Sequence, residues 1–207
     1  YAFSGCISLK EIRIPDSVKA LGKGSFINCT ALKKAEIGSG ITEIPMECFA
    51  ICSNLSDLKL PDSLVTLKME AFYGCLSLTD IDVPKSVTKM ESNCLGTYYD
   101  LRTNSIINVN DVVISGASSG AARIYAKLLG IKFVDYDNML LGDVDFSGAV
   151  DAIDASLALT EYAAISSGRE TYLRIYEKTA ADFDANGIID AIDASLILSV
   201  YVKNSTS

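Results

Sequence analysis

The chain has 207 residues, with 26 acidic side chains against 18 Lys plus Arg and neither His nor Trp. A formal net charge of −8 argues against a nucleic-acid partner, which would need a basic face. The missing His excludes Ser-His-Asp and Cys-His catalysis and any His-ligated zinc site. No apolar run reaches the roughly 18 residues of a membrane span.

The charge is unevenly placed. Residues 1–135 hold 14 acidic and 14 basic side chains, whereas residues 136–207 hold 12 and 4. That asymmetry predicts two modules with different tasks, 1–135 and 136–207. The short strands read in the first and the helices read in the second make the expected fold class mixed α/β by modules. Tyr1-Ala2-Phe3 enters in mid-pattern, so the chain reads as part of a longer protein, with any export signal expected outside these residues.

The first elements in chain order are copies of one another. Phe3, Phe26, Phe49 and Phe72 recur every 23 residues, with Leu95 in the next slot. Cys6, Cys29, Cys52 and Cys75 keep the same period, as do Leu9, Leu32, Leu55 and Leu78. Ile12, Ala35, Leu58 and Ile81 fill another column, and Ile14, Ile37, Leu60 and Val83 a further one. Pro15, Pro61 and Pro84 close three strands, and Gly38 breaks that column. Such self-similarity signals a solenoid. Each repeat offers one short strand, such as residues 9–14, and a return segment, such as residues 17–21. Only stacking buries the apolar columns, as ladders in one continuous core.

Lys10, Glu11, Arg13, Lys33, Lys34, Glu36, Asp57, Lys59, Asp80 and Asp82 are expected to face outward on the concave side, as a ligand surface or as a solvated polar face. No aromatic row marks a sugar platform. The six Cys read as buried thiols acting as small hydrophobes, although a rung spacing of about 4.8 Å also brings neighbours within disulfide range. Cys48 and Cys94 take the slot held elsewhere by Ala2, Ser25 and Ala71, which again asks for a small residue.

The pattern Ala2-Phe3-x-x-Cys6-x-x-Leu9-x-x-Ile12-x-Ile14-Pro15-x-Ser17-Val18, repeated to about residue 95, resembles the BspA-like leucine-rich repeats of bacterial surface and secreted proteins. The resemblance implies a leucine-rich-repeat solenoid with short parallel strands. Residues 112–134 look like the end piece of such arrays, with Ser119 expected to cap a short helix and Gly130 to end it.

From Asp143 the composition changes. Asp143, Asp145, Ser147, Asp151 and Asp154 place oxygen side chains at positions 1, 3, 5, 9 and 12 of a loop, with Gly148 at the sharp turn of position 6. Asp182, Asp184, Asn186, Asp190 and Asp193, with Gly187, repeat the layout 39 residues later. Calcium takes six to eight oxygen ligands, and a twelve-residue loop supplies them at this spacing, position 9 often through a water. Ala149 and Ile188 would offer backbone carbonyls at position 7. Two Ca²⁺ are therefore expected. The hydroxyl of Ser147 should make the first site the weaker, and metal binding should drive folding of the second module. No helix-forming segment is expected directly before either loop, so each unit reads as loop then helix. Arg169–Ala181 is a candidate short linking helix.

The duplicated Asp-x-Asp-x-(Ser/Asn)-Gly-x-x-Asp-x-x-Asp loop, identical at 12 of 20 positions between 143–162 and 182–201, looks like a dockerin. The resemblance covers about residues 142–203 and implies a small all-α calcium-binding module that docks to a cohesin domain of a scaffold protein, often in two orientations related by a half turn. The family's cohesin-binding positions fall on Ala152, Ile153, Ser156, Leu157 and Thr160, and on Ala191, Ile192, Ser195, Leu196 and Ser199. Ala-Ile stands where many dockerins carry Ser/Thr, which implies a more hydrophobic interface. Periodicity places Ala155, Leu159 and Tyr162 inside, against Ala194, Leu198 and Tyr201.

The functional expectation is a non-catalytic, secreted cellulosome component. It would dock through calcium and present a repeat module to an unknown protein or polysaccharide. The alternative is a secreted adhesion or carbohydrate-degrading protein whose catalytic domain lies upstream.

Overall fold

A computed structural model describes residues 1–109, 111–169, 171 and 173–205. Two compact units, Tyr1–Asp135 and Tyr136–Ser207, are described separately. In chain order the first carries β1 (Glu11–Ile14), β2 (Lys34–Ile37), β3 (Glu43–Ile44), β4 (Asp57–Lys59), β5 (Thr66–Leu67), β6 (Asp80–Asp82), β7 (Lys89–Met90), β8 (Thr97–Asp100), β9 (Ser105–Asn108), β10 (Val113–Gly116), α1 (Ala121–Leu129) and β11 (Lys132–Asp135).

The sequence period becomes the pairing register. β1, β2 and β4 pair in parallel, Glu11 opposite Lys34 and Lys34 opposite Asp57, each partner 23 residues on. A second parallel ladder, β3-β5-β7, sets Glu43 opposite Thr66 and Thr66 opposite Lys89 at the same step. The return segment therefore holds a strand of its own, too short for alternation to announce it. β10 then pairs with β6, Val113 opposite Asp80, a step of 33, with β11 outside it. The extra chain is taken up by the β8–β9 antiparallel hairpin.

The columns stack as ladders. The rings of Phe3, Phe26, Phe49 and Phe72 lie face to face, with neighbouring centroids 4.9–5.2 Å apart and planes within 9°. All six cysteines are free thiols. Cys29, Cys52 and Cys75 each donate from Sγ to the carbonyl of Phe3, Phe26 and Phe49 respectively, at 3.1–3.3 Å. Each thus fills a core slot and ties its repeat to the preceding one. Burial pushes the thiols of Cys48, Cys52 and Cys94 up to about 12.

On the outward strand positions Lys34 pairs with Asp57 at 2.6 Å and Arg13 with Glu36 at 3.7 Å. These pairs set opposite charges side by side on neighbouring rungs of an exposed polar face. Gly38 and Gly40 are needed because the second repeat presses on the first. A Cβ on Gly38 would lie 2.5 Å from the carbonyl oxygen of Ile14, and one on Gly40 would lie 2.2 Å from that of Asp16.

α1 buries Ala122, Tyr125 and Ala126 over the end of the core. The Tyr125 hydroxyl donates to the Leu95 carbonyl at 2.8 Å and accepts from the Leu95 N–H at 3.1 Å. Gly130 ends the helix in the left-handed conformation at φ 67°. At the other end the N-cap is Gly120, in extended backbone and without a side-chain cap, so Ser119 lies one residue outside the capping position.

The second module holds α2 (Ala152–Ser166), α3 (Ile175–Ala181) and α4 (Ala191–Ser205). Its small core is Val144, Val150, Ala155, Ala158, Ala181, Ile189, Ala194 and Ile197. Two expectations need correction. α3 ends directly before Asp182, so the second loop does follow a helix, whereas only a single 3-10 turn at Tyr136–Asn138 precedes the first. And Leu159, Tyr162, Leu198 and Tyr201 are exposed at 47%, 38%, 45% and 37%, not internal. The inner faces are lined instead by Ala155, Ala158, Ala194 and Ile197. Among the described residues no helix is long and apolar enough to cross a membrane.

Candidate metal centres and docking face

Each loop is closed by its own carboxylates. In the first, Asp143 accepts from the N–H groups of Ser147 and Gly148, both at 2.9 Å. Asp145 accepts from Ser147 N–H at 2.9 Å. The buried Asp154 reaches back to accept from Val144 at 2.7 Å, Asp145 at 3.2 Å and Asp151 at 2.7 Å. The second loop repeats this arrangement. Asp182 accepts from Asn186 and Gly187 at 3.0 and 2.8 Å, and Asp193 from Asp184 and Asp190 at 3.2 and 2.8 Å. Left-handed backbone at Phe146 (φ 57°) and Gly148 (φ 93°), and at Ala185 (φ 58°) and Gly187 (φ 86°), makes the tight curve.

Asp143, Asp145 and Asp154 bring ligand oxygens within 4.8 Å of one another, as do Asp182, Asp184 and Asp193. These donor sets contain only hard oxygens and fit calcium. Position 5 differs between the loops. Asn186 Oδ1 accepts from Ile188 N–H at 2.7 Å, whereas Ser147 Oγ accepts from the equivalent Ala149 N–H at a longer 3.4 Å and also donates to the Ala149 carbonyl at 3.3 Å. Asp151 and Asp190 stand apart from the triads and cap the helices, accepting from Ile153 and Ile192 N–H at 2.6 Å. From there each would reach an ion through a water. Burial first, then the Asp154 and Asp145 charges, raise the pKa of Asp143 above its ordinary value despite its two N–H donors.

The same aspartates orient the helices. Asp154 and Asp193 must face inward to hold their loops, which places residues one and four positions on, Ala155 and Ala158 and likewise Ala194 and Ile197, on the same side. The opposite face is left to solvent. Ala152, Ile153, Ser156 and Thr160 are exposed, as are Ala191, Ile192, Ser195 and Ser199. Ile153 and Ile192 are each 57% accessible. Leu157 and Leu196 are half-buried. Leu159 and Leu198, taken from the sequence as internal, belong to this outer face.

Sequence reading also missed Glu161. It is fully buried in α2, 3.2 Å from Lys178 Nζ, and accepts from Leu173 N–H at 3.1 Å, so it clips the connection between the loops onto α2. Its signal was an acid standing where the duplicate unit has Val200.

Residues 1–102 match the family model of the BspA type leucine rich repeat region in six copies, and residues 141–199 match that of the Dockerin type I domain. Among solved structures, the chain is similar to a leucine-rich repeat protein of T. pallidum, at 25% identity over 64% of this chain and 76% of that one, with a TM-score of 0.47. One from Eubacterium ventriosum is 31% identical over 45% of this chain and 32% of its own, with a TM-score of 0.38. One from Bacteroides ovatus is 20% identical over 61% and 33%, with a TM-score of 0.40. No curated protein gives a match. The chain carries BspA-type leucine-rich repeats over residues 1–102, followed by a type I dockerin domain over residues 141–199.

Proposed function

We propose that this chain is a non-catalytic, extracellular adaptor of a cellulosome. Its dockerin binds two Ca²⁺ and docks onto a scaffold cohesin, while the repeat module of residues 1–135 meets a protein or polysaccharide ligand. The ions would be held by Asp143, Asp145, Ser147, the Ala149 carbonyl and Asp154, and by Asp182, Asp184, Asn186, the Ile188 carbonyl and Asp193, with Asp151 and Asp190 through water. Bound calcium neutralises the carboxylate cluster and fixes the start of each helix. The carrying observation is that each position-12 aspartate both closes its loop and turns one helix face outward. Loop order is thereby coupled to presentation of Ala152, Ile153, Ser156, Leu157 and Thr160, and of Ala191, Ile192, Ser195, Leu196 and Ser199. The near-identity of the two faces supports docking in two orientations.

The test is retention of the full chain on immobilised cohesins in calcium and in EDTA. Retention by at least one cohesin, lost in EDTA and restored by calcium, is expected; retention indifferent to EDTA defeats the reading.

A further inference from the structure

α2 and α4 lack the charge pattern of a solvent-facing helix. α2 has only Asp154 and Glu161, both fully buried. α4 has the buried Asp193 and, in its last turn, Lys203. In a protein whose residues are 21% charged, the exposed surface of these helices is thus almost wholly neutral. Solvated helix faces normally carry charges. Here the outer positions are Ile153, Leu159 and Ala163 on α2, and Ile192, Leu198 and Val202 on α4, all exposed.

Three of the four Ser/Thr hydroxyls on this face are also committed. Thr160 donates to the Ser156 carbonyl at 2.8 Å, Ser195 to Ala191 at 2.7 Å and Ser199 to Leu196 at 2.6 Å. With its proton turned inward, each of these three hydroxyls offers a partner only lone pairs. A carboxylate brought against it would be desolvated and meet no donor.

Resting on the cohesin docking proposed above, we infer that this face selects a cohesin whose contact surface is apolar, free of acidic side chains opposite the helices, and supplied with uncharged donors such as amide or backbone N–H groups. Both helices present an apolar face without exposed charge beside at least one such hydroxyl, so the selection holds in either orientation. The face itself then contributes none of the charge steering that makes binding salt-dependent, and the module's remaining negative charge meets no opposite charge on a neutral cohesin surface.

The experiment measures binding of the full chain, in calcium, to purified cohesins graded from acidic to neutral on their dockerin-facing surface. A neutral cohesin should bind tightest, with a Kd that changes less than about threefold between 0.1 and 1 M NaCl. The double variant I153K/I192K should weaken that binding by about a hundredfold or more, while calcium stoichiometry and helical circular dichroism stay as in the parent. A larger salt effect, preference for an acidic cohesin, or undiminished binding by the folded variant overturns the inference and leaves cohesin docking standing. Binding to no cohesin removes both.

Discussion

Glu161 and Ser147 are two of the eight positions at which the duplicated 20-residue units of the second module differ. Glu161 is fully buried and meets Lys178 and the Leu173 N–H. Truncation would leave that N–H without its acceptor, while the partly exposed Lys178 can turn to water. Glu161→Ala should therefore cost about 1–3 kcal/mol, read as a lower unfolding midpoint of the second module in calcium, with Glu161→Gln costing less because it keeps an acceptor. A midpoint unchanged in Glu161→Ala would show the clip to be ornamental. At Ser147 the hydroxyl proton bonds to the Ala149 carbonyl, so two oxygens expected to face one ion face each other. In the second loop Asn186 Oδ1 carries no proton to turn on the carbonyl, and it braces the turn through Ile188 N–H at 2.7 Å, against 3.4 Å between Ala149 N–H and Ser147. Titration calorimetry should resolve a weaker first site, and Ser147→Asn should tighten it by roughly tenfold. A first site already the tighter one would refute this.

At the scale of elements, legibility followed the number of residues that carry a signal. Four Phe in register announced a ladder, and the four rings stack. The two-residue strands of the second ladder carried too little pattern to read, and the β8–β9 hairpin interrupts the period without a motif of its own. The loops were legible because metal spacing is rigid. The helix azimuth was not, because Leu and Tyr look internal on hydrophobicity alone. The inward aspartates set the phase and put Ala155, Ala158 and Ala194 at the contact. Cys29, Cys48, Cys52, Cys75 and Cys94 are buried, so a thiol reagent at pH 8 should modify them only on unfolding, Cys6 alone being partly accessible. Rapid native reaction of more than one thiol would contradict that ladder. Gly40→Ala should destabilise the repeat module by about 2–4 kcal/mol, since its Cβ would overlap the Asp16 and Val18 carbonyls of the preceding repeat.

For the whole molecule the informative quantity is net charge. Eight loop aspartates, at 143, 145, 151, 154, 182, 184, 190 and 193, account for the entire −8, because the other 18 acidic groups equal the 18 basic ones. Two bound Ca²⁺ would halve the charge, all of it in the second module. The effect on folding has a definite sign. The Asp143 pKa is raised by burial and by its Asp154 and Asp145 neighbours, so the ion-free fold is favoured below the unfolded value and loses that favour as pH rises through the raised one. Calcium requires the deprotonated carboxylate, so its affinity should climb across the same window, with proton release on binding. Scanning calorimetry of the full chain at pH 7 should therefore show two transitions. One, from the repeats, should ignore the metal. The other should fall in EDTA and rise with calcium, gaining about 4 kcal/mol at a free concentration 1,000 times Kd. If both transitions moved together, or if the EDTA form unfolded as late as the calcium form, the aspartates would be surface charge and not the frame on which the second module folds.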